Sequence, residues 1–163
     1  MRFLGIFLIA LIYSGSVQAQ KTIAKTLKKF NTESVPYISV EEAILTQNSL
    51  FLDTRKREEY DVSHVNDALW VGYKKFSIGN VLAQIPVKDT PIIVYCSVGV
   101  RSEDIGEKLL KAGYTNVKNL YGGIFNWKNK GNPVFSNDGM PTEKVHGFSK
   151  QWGKLLTNAQ KVY

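Results

Sequence analysis

The chain has 163 residues, 44% of them hydrophobic and 21% charged, which suits one globular domain and excludes disorder throughout. Cys96 is the only cysteine, so an internal disulfide and a cysteine-rich zinc site are excluded; with only His64 and His146, no histidine-built metal centre is expected either. The formal net charge of +7 sits at the ends, in Lys21, Lys25, Lys28 and Lys29 and again in Lys144, Lys150, Lys154 and Lys161, so the near-neutral middle offers no basic face for nucleic acid.

Residues 1–19 read as a secretory signal peptide. Arg2 precedes an unbroken apolar run from Phe3 to Tyr13, Ser14-Gly15-Ser16 ends it, and Val17-Gln18-Ala19 supplies small residues around a cleavage site. The run falls short of the about 20 apolar residues a spanning helix needs. Cleavage after Ala19 is therefore expected, with export to the periplasm or beyond and no stable membrane insertion afterwards. Exported compartments oxidise thiols, so an unpaired Cys96 is a reactive thiol, a partner in an intermolecular bond, or a buried inert residue. Residues 20–36 form a basic N-terminal segment in which Thr22 to Phe30 suits a helix.

From residue 37 the chain alternates short apolar runs with helical stretches. Tyr37-Ile38-Ser39 suits an edge strand and Val40 to Leu45 a short helix. Leu50-Phe51-Leu52, Ala68 to Val71, Pro91 to Tyr95 and Val117 to Leu120 are runs of the kind that parallel strands buried on both faces carry. Phe76 to Ile85 reads as a helix before Pro86. Glu103 to Ala112 reads as the strongest one: Ile105, Leu109 and Leu110 share a face, acidic residues open it, Lys108 and Lys111 close it, and Gly113 follows. Repeated strand–crossover–strand units predict an α/β fold, an open parallel sheet of about five strands with helices on both faces. This domain spans 37–134. Residues 135–163 form a C-terminal extension, partly helical, with a turn at Asn137-Asp138-Gly139 and an apolar stripe of Phe148, Trp152, Leu155 and Leu156 that packs on the domain.

The chemistry is expected after the third of those buried runs, since open parallel sheets place their sites at the carboxyl ends of strands. Cys96-Ser97-Val98-Gly99-Val100-Arg101-Ser102 joins Pro91–Tyr95 to the strong helix. Gly99 permits a tight loop, and Ser102 is suited to cap the helix. Such a loop aims backbone N–H groups inward as an anion nest, and a Cys96 thiolate there is stabilised by those dipoles and by Arg101. Asp53 and Arg55 follow Leu50–Leu52 on the same sheet edge. Two roles are open for them: positioning substrate or loop, or structural pairing of Arg55 with Glu58 or Glu59 and of Asp53 with backbone. His64 reads as a structural residue of its turn, Trp127 as core, and Gly122-Gly123 as a tight turn into the last helix.

These residues resemble the rhodanese family. The likeness runs from Ser39 to Val134 through Leu52-Asp53-Thr54-Arg55, Glu59-Tyr60, Ser63-His64-Val65 with Ala68, Cys96 to Ser102, Ala112-Gly113-Tyr114, Val117, Leu120, Gly122-Gly123, Trp127, Gly131 and Pro133-Val134. Ser63 stands where glycine is usual, in a turn remote from the chemistry. The family fold is a parallel sheet covered by helices on both faces.

The resemblance implies a sulfurtransferase. Cys96 takes the outer sulfur of a small sulfur-containing anion such as thiosulfate, holds it as a persulfide within the loop Ser97, Val98, Gly99, Val100, Arg101 and Ser102, and passes it to a thiol, cyanide or a protein. No metal or organic cofactor is implied. Arg101 either orients the donor or braces the loop. Four residues lie between Cys96 and Arg101, one fewer than in related phosphatase-like loops, which favours sulfur over phosphoryl or arsenate chemistry. Ser97, Val98 and Val100 carry no charge, so a persulfide, polysulfide or protein donor stands beside thiosulfate. The alternative is a sulfur-carrier or protein-binding module that turns over small donors poorly.

Overall fold

The computed structural model describes residues 18–19 and 22–163. The leader expected at residues 1–19 lies outside the described residues, save for Gln18 and Ala19. Helix α1 covers residues 22–30, followed by β1 (Tyr37–Ile38), α2 (Val40–Leu45), β2 (Leu50–Asp53), α3 (Arg57–Val62) and β3 (Leu69–Trp70). Then come α4 (Ile78–Gln84), β4 (Ile92–Tyr95), α5 (Val100–Lys111), β5 (Val117–Leu120) and α6 (Gly123–Asn129).

The five strands form one parallel sheet in the order β1-β5-β4-β2-β3. This is the expected α/β architecture. Central β4 is buried along its whole length, which is why its sequence is an unbroken apolar run. Its side chains alternate between two cores. Ile93 and Tyr95 join Ile23, Leu27, Ile124, Phe125 and Trp127 on one face, under α1, α2 and α6; Ile92 and Val94 join Val81, Ile85, Ile105 and Leu109 on the other, under α4 and α5. Each fully buried aliphatic side chain contributes about 1.5–3 kcal/mol of transfer free energy. All the parallel strands point their carboxyl ends to one edge, so the segments after β2 and β4 lie side by side there.

Local chemistry sets the helix starts. The Ser39 hydroxyl accepts the Glu42 N–H at 3.2 Å while the Glu42 carboxylate accepts the Ser39 N–H at 2.9 Å, a reciprocal cap for α2. Ser77 caps α4, so this helix begins at Ile78, two residues later than the apolar pattern suggests. The basic segment does form α1, and Ile23 and Leu27 bury it against the sheet.

The C-terminal extension contains less helix than its apolar spacing predicts. β6 (Val134–Phe135) pairs antiparallel with β7 (Pro141–Thr142) across the 137–139 turn, and β8 (Lys144–His146) pairs parallel with β9 (Gln160–Val162). Between β8 and β9 there is a single 3-10 turn, η1 (Trp152–Leu155). Phe148 takes φ 62°, a left-handed conformation that interrupts any helix through it. Leu155 and Leu156 are buried in the core. His64 is structural: its N–H and carbonyl exchange hydrogen bonds with Phe135, and its ring stacks on Tyr60 at 3.9 Å.

Candidate active site

The Cys96 loop is built by tying its carbonyl groups away from the thiol. The Cys96 and Ser97 carbonyls accept the Ile124 and Phe125 N–H groups at 3.0 and 3.1 Å. The Gly99 carbonyl accepts the side-chain amides of Asn31 at 2.9 Å and Asn119 at 2.8 Å. With those carbonyls held outside, the intervening amide planes aim their N–H groups inward. Two glycines make this possible. Gly99 sits at φ 105° immediately before α5, and a Cβ on Gly123 would stand 2.3 Å from the Cys96 carbonyl oxygen.

Cys96 Sγ accepts the Gly99 N–H at 3.1 Å, and the residue as a whole is only 1% exposed. The N–H groups of Val100, Arg101 and Ser102 open α5 and have no intrahelical acceptor, so the helix adds a positive end to the nest. Ser102 does not cap the helix as its sequence suggests. α5 starts three residues earlier than expected, at Val100 with Gly99 as the cap, and the Ser102 hydroxyl is buried in the first turn, donating to Asn119 Oδ1 at 2.7 Å. It supports the loop from behind.

Arg101 turns its guanidinium to Glu59. The two form a bidentate pair, Nη1 to Oε2 at 2.7 Å and Nη2 to Oε1 at 2.8 Å, and Nη2 also donates to Ser97 Oγ at 3.0 Å. The Ser97 hydroxyl donates to Glu59 Oε1 at 3.1 Å. Glu59 is in the first turn of α3, where Oε2 also accepts the Lys56 N–H at 3.1 Å, so that helix start aims it. Burial would raise the Glu59 carboxyl, but the Arg101 hydrogen bonds and charge outweigh it and hold its pKa below the usual carboxylate value. Burial likewise opposes the Arg101 charge; the Glu59 hydrogen bond, then the negative charge of Cys96, reverse this and raise its pKa. These are the contacts that a brace for the loop makes.

Asp53 and Arg55 are also ion-paired, and to each other. Arg55 Nη2 lies 2.6 Å from Asp53 Oδ2, with both side chains 0% exposed. Arg55 Nη2 also donates to the Ser63 carbonyl, and Asp53 Oδ1 accepts the Arg55 N–H. Arg55 therefore pairs with neither Glu58 nor Glu59, and its side chain is closed off from solvent in this structure. The pair locks the segment after β2 beneath the α3 turn.

Above the thiol is a pocket of about 180 Å³. Its floor is Cys96 with Ser97, Val98, Val100 and Arg101, and its walls are Phe30, Phe148 and Trp152. Reading the sequence for chemistry finds Cys96 and its loop but misses Asn31, Asn119 and the three aromatic walls, and it offers Glu59 as a partner of Arg55 where the structure pairs it with Arg101. Asn119 carried a signal, a polar residue inside a buried strand. Among the described residues, no three His, Cys, Asp or Glu side chains gather to hold a metal ion.

Comparison with known proteins agrees with this geometry. A family model described as a Rhodanese-like domain matches residues 39–130. Thiosulfate sulfurtransferase GlpE of Coxiella burnetii is 25% identical over 96 residues, which are 59% of this chain and 87% of that protein. The tRNA uridine(34) hydroxylase of Streptococcus sanguinis is 35% identical over 86 residues, 51% of this chain and 26% of the hydroxylase. In three dimensions, the crystal structure of thiosulfate sulfurtransferase from Pseudomonas aeruginosa matches with a TM-score of 0.59 at 21% identity, covering 86% of this chain and 26% of that one. That last likeness establishes a shared fold.

Proposed function

The chain belongs to the rhodanese-like domain family, and from that premise we propose that it is a sulfurtransferase whose Cys96 carries sulfane sulfur as a persulfide. The observation that carries this reading is the nest around Cys96 Sγ, with the Gly99 N–H at 3.1 Å and the start of α5 beside it. Such an arrangement stabilises negative charge on sulfur without a metal. The thiolate attacks the outer sulfur of the donor. The donor's sulfur–sulfur bond breaks, and its electron pair leaves on sulfite when the donor is thiosulfate. An acceptor such as cyanide or a thiol then attacks the terminal sulfur, and the Cys96 thiolate leaves. The Arg101–Glu59–Ser97 network holds the loop in one shape through both steps, so that no reorganisation is needed as charge moves onto and off the outer sulfur. The leader-like residues 1–19 support export of the mature chain.

A second reading, a carrier that hands sulfur to a partner protein and turns over small anions slowly, is favoured by one observation: Glu59 occupies the guanidinium of Arg101. Thiocyanate formation from thiosulfate and cyanide tests the proposal. Steady turnover that Cys96→Ser abolishes without changing the fold is expected. Turnover that survives Cys96→Ser would sink the mechanism.

A further inference from the structure

We infer that the pocket above Cys96 is a subsite for the apolar group of an organic sulfur donor, one that carries an aryl or alkyl group beside its sulfane sulfur, in preference to the thiosulfate dianion. This rests on the sulfurtransferase reading and names the substrate class of the same site.

The walls point to it. Phe30, Phe148 and Trp152 lie outside residues 39–130, the part that matches the family model, yet they converge over its cysteine from both ends of the chain. The Trp152 ring is 6.3 Å from Phe30 and 6.3 Å from Phe148. Phe30 and Phe148 are 54% and 41% exposed, so these rings are not placed to fill the core. Exposed aromatic rings grouped around a concave site mark ligand contact. Phe148 holds its position at φ 62°, which a bulky residue rarely adopts, with its N–H donated to His146 Nδ1 at 3.0 Å.

Charge and size point the same way. Among the described residues, Arg101 is the one charged side chain lining the pocket, and Glu59 neutralises it on one side while Phe148 covers it at 4.8 Å on the other. A dianion entering here exchanges its hydration for aromatic carbon, which is unfavourable without a free cation. An apolar ring gains contact instead. The volume of about 180 Å³ is sufficient, since an apolar cavity of about 150 Å³ accepts benzene.

The step balances without a further reagent. With a thiosulfonate, R–SO2–S⁻, the Cys96 thiolate forms a bond to the terminal sulfur, the sulfur–sulfur bond of the donor breaks, and the electron pair leaves on the sulfinate R–SO2⁻. Cys96 retains the persulfide anion, and the total charge is unchanged.

The test compares benzenethiosulfonate with thiosulfate as donors to the full-length mature chain, reading both sulfur added to Cys96 by intact mass and kcat/KM. The wild type is expected to favour the aryl donor, and Trp152→Ala or Phe148→Gly to lower that preference about tenfold. Trp152→Phe should keep most of it. Glycine is at ease at φ 62°, so Phe148→Gly tests the ring without endangering the fold. Equal use of the two donors by the wild type, or a preference unmoved by both truncations, overturns this inference while sulfur on Cys96 from thiosulfate keeps the parent reading. No sulfur on Cys96 from either donor overturns both.

Discussion

Among the described residues, one arginine–carboxylate pair is fully buried and a second is largely buried beside the Cys96 loop, and they do different work. Asp53–Arg55 joins residues two apart in sequence at the end of β2, and both side chains are 0% exposed. Glu59–Arg101 joins residues 42 apart, bridging the first turn of α3 to the Cys96 loop, with Arg101 still 16% exposed at the pocket. The first fixes a piece of scaffold. The second fixes the shape of the reactive loop. An ion pair sealed inside the fold gives position to the backbone around it, whereas one that spans two elements beside a nucleophile gives position to chemistry.

The largest effect should come from breaking the inner pair. Asp53→Ala strands the Arg55 guanidinium, already with one nitrogen lacking a partner, in a site without water access. A loss of about 3–5 kcal/mol is expected in urea unfolding. A loss below about 1 kcal/mol would show that Arg55 finds another partner and that the comparison is wrong.

Breaking the outer pair should separate activity from stability. Arg101→Lys keeps the charge but loses the two-pronged contact with Glu59, at an expected cost of about 1–2 kcal/mol. Sulfur transfer should fall more steeply, on the order of 100-fold, because the loop no longer holds the nest in register. Equal losses in the two measurements would reduce Glu59–Arg101 to a second piece of scaffold.

Acid sharpens the distinction through Glu59. Its carboxyl pKa is lowered on folding, so its contribution is complete above the unfolded value of about 4.3 and is lost as pH falls through the folded value. Wild-type stability should therefore drop below about pH 4.3 more than that of Glu59→Gln, whose stability curve lacks this component. Parallel curves for the two proteins from pH 6 to pH 3 would contradict the assignment. The smallest effect on stability is expected at the pocket wall: Phe148→Gly removes an exposed ring and relieves a left-handed backbone, leaving the urea midpoint within about 0.5 kcal/mol of wild type.

These pairs also show what a sequence makes visible. The central strand was legible because Ile92–Tyr95 is buried along its whole length and must be apolar throughout, while β2 and β5 each carry an apolar core with an exposed position, Leu50 and Lys118. The Cys96 loop was legible because a nucleophile, a flexible glycine and an arginine fall together in seven residues. The partner of Glu59 was not, since Arg55 stands four residues before it whereas Arg101 stands 42 residues after it. Nor was the partner of Arg55, for which four carboxylates, Asp53, Glu58, Glu59 and Asp61, lie within six residues. The start of α5 was misplaced because Ser102 and Gly99 both suit a cap, and the choice depends on Asn31 and Asn119 gripping the Gly99 carbonyl from distant elements. The aromatic walls come from residues 30, 148 and 152, and no local pattern links them.

The central claim is that Cys96 holds transferable sulfur, and the intact mass of the mature protein tests it most directly. Treatment with a sulfane donor should add the mass of one sulfur atom, cyanide should remove it, and Cys96→Ser should show neither change. A wild-type mass unaltered by thiosulfate and benzenethiosulfonate alike, with the thiol still free, would contradict it.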